Sequence, residues 1–256
     1  MTTPLSLTIA TSAGSVPLTV DERGSGRPVL ILHGGAGPAS VTGFADLLSA
    51  STDARVIVPT HPGFGGSPRP ESLSTIDGLA EVYAGLLETL DLSDVVLVGN
   101  SIGGWIAAEM ALRHPDRLGR VVLVDSVGIE VEGHPVASSL APAQLAQYSW
   151  YDPAKAPSMD PATMPPALAQ MRGANQAALA VYGGTMSDPT LLGRLAGIDV
   201  PVLVLWGEAD RVVDPDYGRA FAAAIPGARF ELLAKTGHVP QMETPDTLLD
   251  AIRPFI

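Results

Sequence analysis

The sequence predicts an α/β fold in which helices flank a mostly parallel, eight-stranded sheet. Strand-like and helix-like segments alternate along most of the 256 residues, an order typical of parallel sheets with helical crossovers. Several predicted strands are apolar at consecutive positions, which is typical of strands covered on both faces. Apolar residues make up 46% of the chain and charged residues only 16%, which is enough apolar material to fill such a core.

The first part of the chain supplies four predicted strands and one helix. Leu5–Ala10 and Val16–Glu22 indicate two strands joined by a turn. The short apolar run Pro28–Leu32 predicts the third strand, and the helical spacing of apolar residues over Val41–Ala50 predicts a helix. Arg55–Pro59 predicts the fourth strand, which we expect to be buried.

The middle of the chain contains the strongest strand and helix signals. Apolar residues recur at helical spacing over Ile76–Leu90, and Ile102–His114 predicts a second helix that Pro115 ends. Asp94–Gly99 and Val121–Val124 are apolar runs that predict the fifth and sixth strands.

The last part of the chain returns to the alternating pattern. Val202–Trp206 and Arg229–Leu233 predict the final two strands, and Phe221 marks a helix between them. Thr247–Phe255 predicts the last helix.

One long segment interrupts the alternation between the sixth and seventh strands. About 65 residues, 128–192, contain no strong strand and are rich in Ala, Pro, Met and Gln, which is too long for a plain connection. Short helices are predicted at Pro142–Tyr148 and Pro166–Tyr182. We expect a helical cap at 128–192 inserted into a core formed by 1–127 and 193–256; a surface insertion without such a role is the alternative.

Charge and composition exclude several classes of function. The net charge of −12 disfavours binding to nucleic acid and to an anionic membrane surface. The absence of cysteine excludes disulfides, thiolate catalysis and cysteine zinc sites. Neither a secretory leader nor a membrane-spanning run is evident. We therefore expect a cytoplasmic protein that acts on a small molecule, and a homo-oligomer remains open.

The central chemical signal is the run Gly99-Asn100-Ser101-Ile102-Gly103-Gly104. It follows a predicted strand and opens a predicted helix, which is the context of a G-x-S-x-G nucleophile elbow. Glycines allow the sharp turn that exposes a serine hydroxyl there. Ser101 is therefore the candidate nucleophile, with a Gly-rich turn and an incidental serine as the alternative.

A serine hydroxyl needs a base, and five histidines are available. His238 follows the last predicted strand, so its loop reaches the same edge of the sheet as Ser101, and it is the candidate base. His33 and His61 lie in turn-rich loops that we expect them to brace. His114 ends a helix, and His134 is expected on the surface of the cap.

The base in turn needs an acid that fixes its tautomer and stabilises the imidazolium. Asp210 follows the seventh predicted strand and is the candidate acid. Asp214 precedes Pro215 and is better placed to cap a helix. Asp125, at the end of the sixth predicted strand, is the competing acid.

Acyl transfer also needs donors for a developing oxyanion. The N–H group after the nucleophile, from Ile102, is the first candidate, and Gly35 in the Gly-rich loop is the second. A phosphate cradle is the rival reading of that loop, but neither the P-loop pattern nor a dinucleotide fingerprint is matched. The chemistry predicted here requires no metal and no organic cofactor.

These motifs resemble those of the α/β-hydrolase fold superfamily. The resemblance spans nearly the whole chain apart from the cap, and it rests on five runs in the same order: His33-Gly34-Gly35, Pro62-Gly63-Phe64-Gly65-Gly66-Ser67, Gly99-Asn100-Ser101-Ile102-Gly103-Gly104, Trp206-Gly207-Glu208-Ala209-Asp210 and Gly237-His238. It implies a serine hydrolase with a triad in the chain order Ser, Asp, His. Because the fold hosts many chemistries, the substrate does not follow from it.

Within that superfamily, Asn100 and the Gly-rich loop look like the carbon–carbon hydrolases of aromatic ring cleavage, which hydrolyse vinylogous 1,5-diketones. Those enzymes commonly have Trp directly after the catalytic histidine, where this chain has Val239. They also use a cap arginine on the substrate carboxylate, a role open to Arg172, for which a solvated surface position is the alternative. Carboxylesterases and enol-lactonases are equally similar.

The cap is expected to line an apolar pocket, with ordinary packing of cap on core as the alternative. The candidate lining residues are Trp150, Tyr151, Met159, Met164, Met171 and Tyr182. Asn100 and Val239 are further candidate substrate contacts. Two other functions stay open on the same fold, a cofactor-free perhydrolase and a binding module without catalysis.

Overall fold

The computed structural model describes residues 4–138, 140–158 and 163–256, and these form one eight-stranded sheet with helices on both faces. The predicted α/β class and the number of strands are confirmed. The strands are β1 (Leu5–Thr11), β2 (Gly14–Arg23), β3 (Arg27–Leu32), β4 (Ala54–Pro59), β5 (Val95–Asn100), β6 (Leu118–Val124), β7 (Val202–Gly207) and β8 (Arg229–Leu233).

The strand order across the sheet is β1-β2-β4-β3-β5-β6-β7-β8. β2 pairs antiparallel with β1 and β4, and every other pair of neighbours is parallel. The carboxyl ends of β3, β5, β6, β7 and β8 therefore meet at one edge of the sheet, where open α/β sheets bind ligands.

Helices connect the strands and cover the sheet. In chain order they are α1 (Ala39–Ser51), α2 (Ile76–Thr89), α3 (Ile102–Arg113), α4 (Pro142–Ser149), α5 (Pro166–Gly183), α6 (Leu191–Arg194), α7 (Pro215–Ala224), α8 (Pro240–Glu243) and α9 (Pro245–Ile252). The bounds predicted for the final helix, Thr247–Phe255, are wrong at both ends. The helix α9 begins at Pro245, and Arg253–Phe255 form a 3₁₀ turn after it. The sequence did not predict α8, whose four residues are too few for a periodic signal.

Two apolar cores lie on opposite faces of the sheet. Val95 and Leu97 of β5 pack into the core beneath α2, α3 and α7, whereas Val96 and Val98 pack into the core beneath α1 and α9. Successive side chains of a strand point to opposite faces, so a strand buried on both faces must be apolar at every position.

The segment between β6 and β7 is helical, with α4, α5 and α6 among its described residues. α5 packs on the 3₁₀ turn Phe64–Gly66, and the Tyr182 hydroxyl donates to the carbonyl of Pro62 at 3.0 Å. The segment thus covers loops at the carboxyl edge of the sheet. Its treatment as a separate cap, with boundaries at 128 and 192, stays a prediction.

None of the helices described is both long enough and apolar enough to span a bilayer.

Candidate active site

Ser101 occupies a strained turn between β5 and α3. Its backbone angles, φ 56° and ψ −120°, lie in a region that residues other than glycine rarely adopt. The flanking glycines make this turn possible. A Cβ at Gly99 would lie 2.2 Å from the carbonyl oxygen of Gly103, and a Cβ at Gly103 would lie 2.2 Å from that of Leu32. Glycine is therefore needed at both positions of the Gly-x-Ser-x-Gly pattern, because the backbone approaches too closely there for any side chain.

The structure brings Ser101, His238 and Asp210 into one hydrogen-bonded chain. The Ser101 Oγ is 2.9 Å from His238 Nε2, and His238 Nδ1 is 2.7 Å from Asp210 Oδ2. Asp210 Oδ1 accepts from the N–H groups of Val212 and Val213 at 2.8 and 3.1 Å. These two donors fix the carboxylate so that its second oxygen faces the imidazole.

The histidine loop is held by the segment between β6 and β7 as well as by its own neighbours. The His238 N–H donates to the carbonyl of Ser149 at 2.8 Å. The Glu243 carboxylate accepts from the N–H groups of Gly237, Tyr151 and Asp152 at 2.8 to 3.0 Å. Glu243, which the sequence did not single out, therefore fastens the chain after α4 to the loop that carries His238.

Asn100 belongs to the framework beneath the site, and its predicted contact with substrate stays a prediction. Its Nδ2 donates to the carbonyls of Val124 at 3.2 Å and His238 at 3.1 Å, and its Oδ1 accepts from Gln241 at 3.1 Å. The side chain is buried and its polar atoms are engaged by protein. Asn100 thus links β5, β6 and the histidine loop.

The two predicted oxyanion donors lie on either side of Ser101. Ile102 is the first residue of α3, so its N–H has no partner within the helix and lies at the positive end of the helix dipole. On the other side, a Cβ at Gly34 would lie 3.2 Å from Ser101 Cβ. Gly35 follows in a turn that the Gly37 N–H closes on the Gly34 carbonyl at 3.0 Å, and its role as an oxyanion donor stays a prediction.

His33 and His61 brace the loops beside this turn, as the sequence predicts. His33 Nε2 accepts from the His61 N–H at 3.1 Å, His61 Nε2 donates to the His33 carbonyl at 2.8 Å, and His61 Nδ1 bonds the Tyr83 hydroxyl. Burial lowers the pKa of His61 to about 4 and holds the pKa of His33 well below its usual value. Both imidazoles are therefore neutral, and their bonds serve the loop geometry.

Asn175 is a site-shaping residue that the sequence did not reveal. It is buried on α5, where its Oδ1 accepts from the Gly65 N–H at 2.7 Å and its Nδ2 donates to the Ala36 carbonyl at 2.9 Å. Ala36 follows Gly35, so one amide fastens α5 to the candidate oxyanion loop. Asn175 bonds these loops only because α5 packs against them, and no local sequence motif predicts such a contact.

The expected pocket residues separate into buried and peripheral groups. Trp150 and Tyr182 are buried, while Tyr151 is exposed and Met159 lies outside the described residues. Leu179, which was not predicted, stands directly over the oxyanion loop, because a Cβ at Gly35 would lie 2.8 Å from its Cδ2.

The remaining predicted substrate contacts are half-buried and stay predictions. Met171 and Arg172 lie on α5, and Arg172 Nη1 is 3.7 Å from the sulfur of Met164. Val239 directly precedes α8 and follows the candidate base.

Asp214 caps a helix, as expected. Its Oδ1 accepts from the N–H groups of Asp216 and Tyr217, both at 3.0 Å, and Pro215 begins α7. Its other oxygen is 2.7 Å from His134 Nδ1, and this hydrogen bond raises the pKa of His134.

One group of described side chains could offer three ligand atoms to a metal ion. Oxygens of Asp125 and Asp210 and a nitrogen of His238 lie within 4.8 Å of one another. Two of these groups are already paired, because His238 Nδ1 and Asp210 Oδ2 are hydrogen-bonded to each other at 2.7 Å.

A serine, a histidine and an aspartate linked at the carboxyl edge of a parallel sheet define the serine hydrolases built on α/β folds. The chain belongs to the alpha/beta hydrolase family, whose pattern it matches over residues 29–251. The predicted resemblance to that superfamily is confirmed, and the protein is a hydrolase.

Its relatives include hydrolases of different substrates. The chain is 30% identical over 246 residues to a 2-hydroxy-6-oxononadienedioate/2-hydroxy-6-oxononatrienedioate hydrolase of Paraburkholderia phymatum, covering 87% of this chain and 85% of that one. It is 29% identical over 259 residues to Lipase 3 of a Moraxella species, covering 93% and 79%. Among solved structures, a thermophilic esterase from Thermogutta terrifontis superposes with a TM-score of 0.74 at 26% identity, covering 99% and 98%.

Proposed function

We propose that the protein hydrolyses a small, largely apolar ester or lactone, with Ser101 as nucleophile, His238 as base and Asp210 as acid. The observation that carries this proposal is the unbroken chain from Ser101 Oγ to His238 at 2.9 Å and on to Asp210 at 2.7 Å. Each link has the length that proton transfer and charge stabilisation require.

The first step forms an acyl-enzyme. His238 Nε2 takes the hydroxyl proton as Ser101 Oγ attacks the acyl carbon, and Asp210 stabilises the imidazolium through Nδ1–H. The carbonyl oxygen becomes an oxyanion, to which the N–H groups of Ile102 and Gly35 donate. His238 then gives its proton to the departing alkoxide, and the bond between the acyl carbon and that oxygen breaks.

The second step releases the acid. Water enters in place of the alcohol, and His238 takes a proton from it as the water oxygen attacks the acyl carbon. The same two N–H groups hold the second oxyanion. Collapse of this intermediate breaks the bond to Ser101 Oγ, which recovers its proton from His238.

The surroundings of the serine favour a small apolar substrate. Ser101 is only 8% exposed, so protein atoms enclose the reacting centre. Leu179 lies over Gly35, Gly183 of the same helix lies close to the Ile102 side chain, and Trp150 is buried beside the histidine loop. Arg69 lies on the loop before α2. Its guanidinium donates to three carbonyls of that same loop, those of Pro70, Glu71 and Leu73.

A vinylogous 1,5-diketone is the second candidate substrate, favoured by the relative from Paraburkholderia phymatum that is named for hydrolysis of such a dienedioate. The same serine would attack a ketone carbon, the bond from that carbon to the adjacent carbon would break in place of the bond to oxygen, and the departing carbon would take the proton held by His238. This chain differs at Val239, where the sequences it resembles commonly have Trp.

A substrate panel tests both candidates. Short aryl esters, lactones and a ring-cleavage diketone are assayed with the wild type and with Ser101→Ala. We expect turnover of the esters or lactones and its loss by at least about 10⁴-fold in Ser101→Ala. Diketone cleavage faster than ester hydrolysis would select the second candidate.

Two further outcomes would contradict hydrolysis as the main activity. Peroxide- and acetate-dependent halogenation faster than any hydrolysis would identify a perhydrolase. Saturable binding of a panel compound, without turnover and without loss in Ser101→Ala, would identify a binding module.

A further inference from the structure

Asp125 lies directly behind the candidate acid and takes no part in the steps above. It follows β6 with a positive φ of 47° and is fully buried. The Asp125 N–H donates to the carbonyl of Leu205 at 3.0 Å, so the turn is fastened to β7. This position, at the end of a neighbouring strand, places its carboxyl group beside that of Asp210.

Only one oxygen of Asp125 has a donor among the described residues. Oδ1 accepts from the Gly207 N–H at 2.7 Å, whereas no described donor reaches the buried Oδ2. The titratable groups that face this carboxyl are Asp210 and His238, with ligand atoms within 4.8 Å. A buried oxygen without a donor, next to a carboxylate, is satisfied if it carries a proton itself.

Two adjacent buried carboxylates would repel each other strongly. A negative charge is better stabilised on Asp210, because this carboxylate accepts hydrogen bonds from two backbone N–H groups and faces the imidazole of His238. Asp125 has one donor, the Gly207 N–H, and forms no ion pair with a lysine or arginine among the described residues. Burial, and then the charge of Asp210, raise the pKa of Asp125 well above its usual value.

We propose that Asp125 is a neutral carboxylic acid whose Oδ2–H donates a hydrogen bond to Asp210. The pair then carries a single negative charge, located on the oxygen atoms that support His238. Asp125 is a positioning residue because it acts on the reaction only through Asp210. This consequence for catalysis rests on the proposed triad, whereas the protonation of Asp125 does not.

Asp125→Asn should leave both kcat and the pH dependence of kcat/KM nearly unchanged if Asp125 is neutral. An asparagine Oδ1 can still accept from the Gly207 N–H, and its Nδ2 can still donate to Asp210, so both the hydrogen bonds and the charge of the pair are preserved. We expect kcat within a few-fold of the wild type and an acid limb of the kcat/KM profile that does not move. Asp125→Leu removes the donor and leaves the full charge on Asp210, so we expect that limb to shift to higher pH.

The protonated acid can be detected without any substrate. Infrared difference spectra of wild type minus Asp125→Asn are recorded near neutral pH, with the exposed Asp250→Asn as the matched control. We expect a protonated-carboxyl C=O band for Asp125 and only carboxylate bands for Asp250. Carboxylate bands alone at Asp125 would overturn the proposal, whatever the enzyme hydrolyses.

The activity arm tests the effect on the triad. If Asp125 were ionised, Asp125→Asn would delete a charge near His238 and move the acid limb to lower pH by more than about one pH unit. That shift would contradict the proposal. So would an unmoved acid limb in Asp125→Leu, provided that thermal unfolding shows this variant to be folded. Absence of all turnover in the wild type would instead count against the proposed function and leave the infrared result standing.

Discussion

Replacing Asn175 with alanine would remove the hydrogen bonds that fasten α5 to the candidate oxyanion loop. The substitution removes an acceptor from the Gly65 N–H and a donor from the Ala36 carbonyl, which lie 2.7 and 2.9 Å away. Asn175 is only 3% exposed, so water reaches these backbone groups poorly after the change. The perturbation therefore affects both stability and the position of Gly35.

The size of both effects follows from the lost bonds. Two buried hydrogen bonds at about 1 kcal/mol each, with some cost for the groups left unpaired, give about 2–3 kcal/mol of lost stability. For a chain of this size that corresponds to a fall in Tm of about 5–10 °C. If Gly35 moves out of line with the oxyanion, kcat falls by up to about 10²-fold. KM should change less, because the oxyanion forms only in the transition state.

The assay compares Asn175→Ala with Gln176→Ala, which removes an exposed amide from the neighbouring position of α5. Thermal unfolding and ester kinetics are measured for both variants. Asn175→Asp is a third arm, since it keeps the acceptor for Gly65 but loses the donor to Ala36. Equal Tm and equal kcat for the alanine variants at 175 and 176 would refute this account of Asn175.

Two further predictions concern packing and pH. A Cβ at Gly104 would lie 1.8 Å from Ser126 Oγ, so Gly104→Ala should cost about 1–3 kcal/mol in urea unfolding and lower turnover. The control Gly173→Ala meets no atom within 4 Å and should stabilise by up to about 1 kcal/mol; similar losses at both sites would contradict the packing argument. The hydrogen bond to Asp214 raises the pKa of His134, so its contribution to stability is complete below about pH 6.5 and is lost as the pH rises through the raised pKa. His134→Gln should remove that part of the pH dependence of unfolding, and an unchanged slope would contradict the assignment.

Local sequence predicted the elbow and the loops that carry the triad candidates. The elbow is encoded within six consecutive residues, Gly99 to Gly104, because its close backbone approaches are short-range. His238 and Asp210 follow strands whose carboxyl ends meet at the edge where Ser101 lies, so the α/β pattern alone brings their loops together.

The sequence does not show which way a side chain points, and therefore which of two neighbouring residues bonds the candidate base. Asp125 and Asp210 both follow strands at the same edge, and only the 2.7 Å approach of Asp210 to His238 Nδ1 distinguishes them. The hydrogen bonds of Asn100 are a second example. Its side chain turns under the elbow to donate to the carbonyls of Val124 and His238, which its place beside Ser101 in the sequence does not reveal.

Covalent labelling tests whether His238 makes the Ser101 hydroxyl a usable nucleophile. The chain is treated with a fluorophosphonate, and the modified peptide is located by mass spectrometry in the wild type, Ser101→Ala and His238→Ala. Ser126→Ala, which removes a nearby buried hydroxyl that has no hydrogen-bond partner among the described residues, is the control. We predict one label per chain, located on Ser101, abolished in Ser101→Ala, greatly slowed in His238→Ala and retained in Ser126→Ala. Labelling of Ser101 at the wild-type rate in His238→Ala, or an unreactive Ser101 in a protein that still hydrolyses esters, would contradict it.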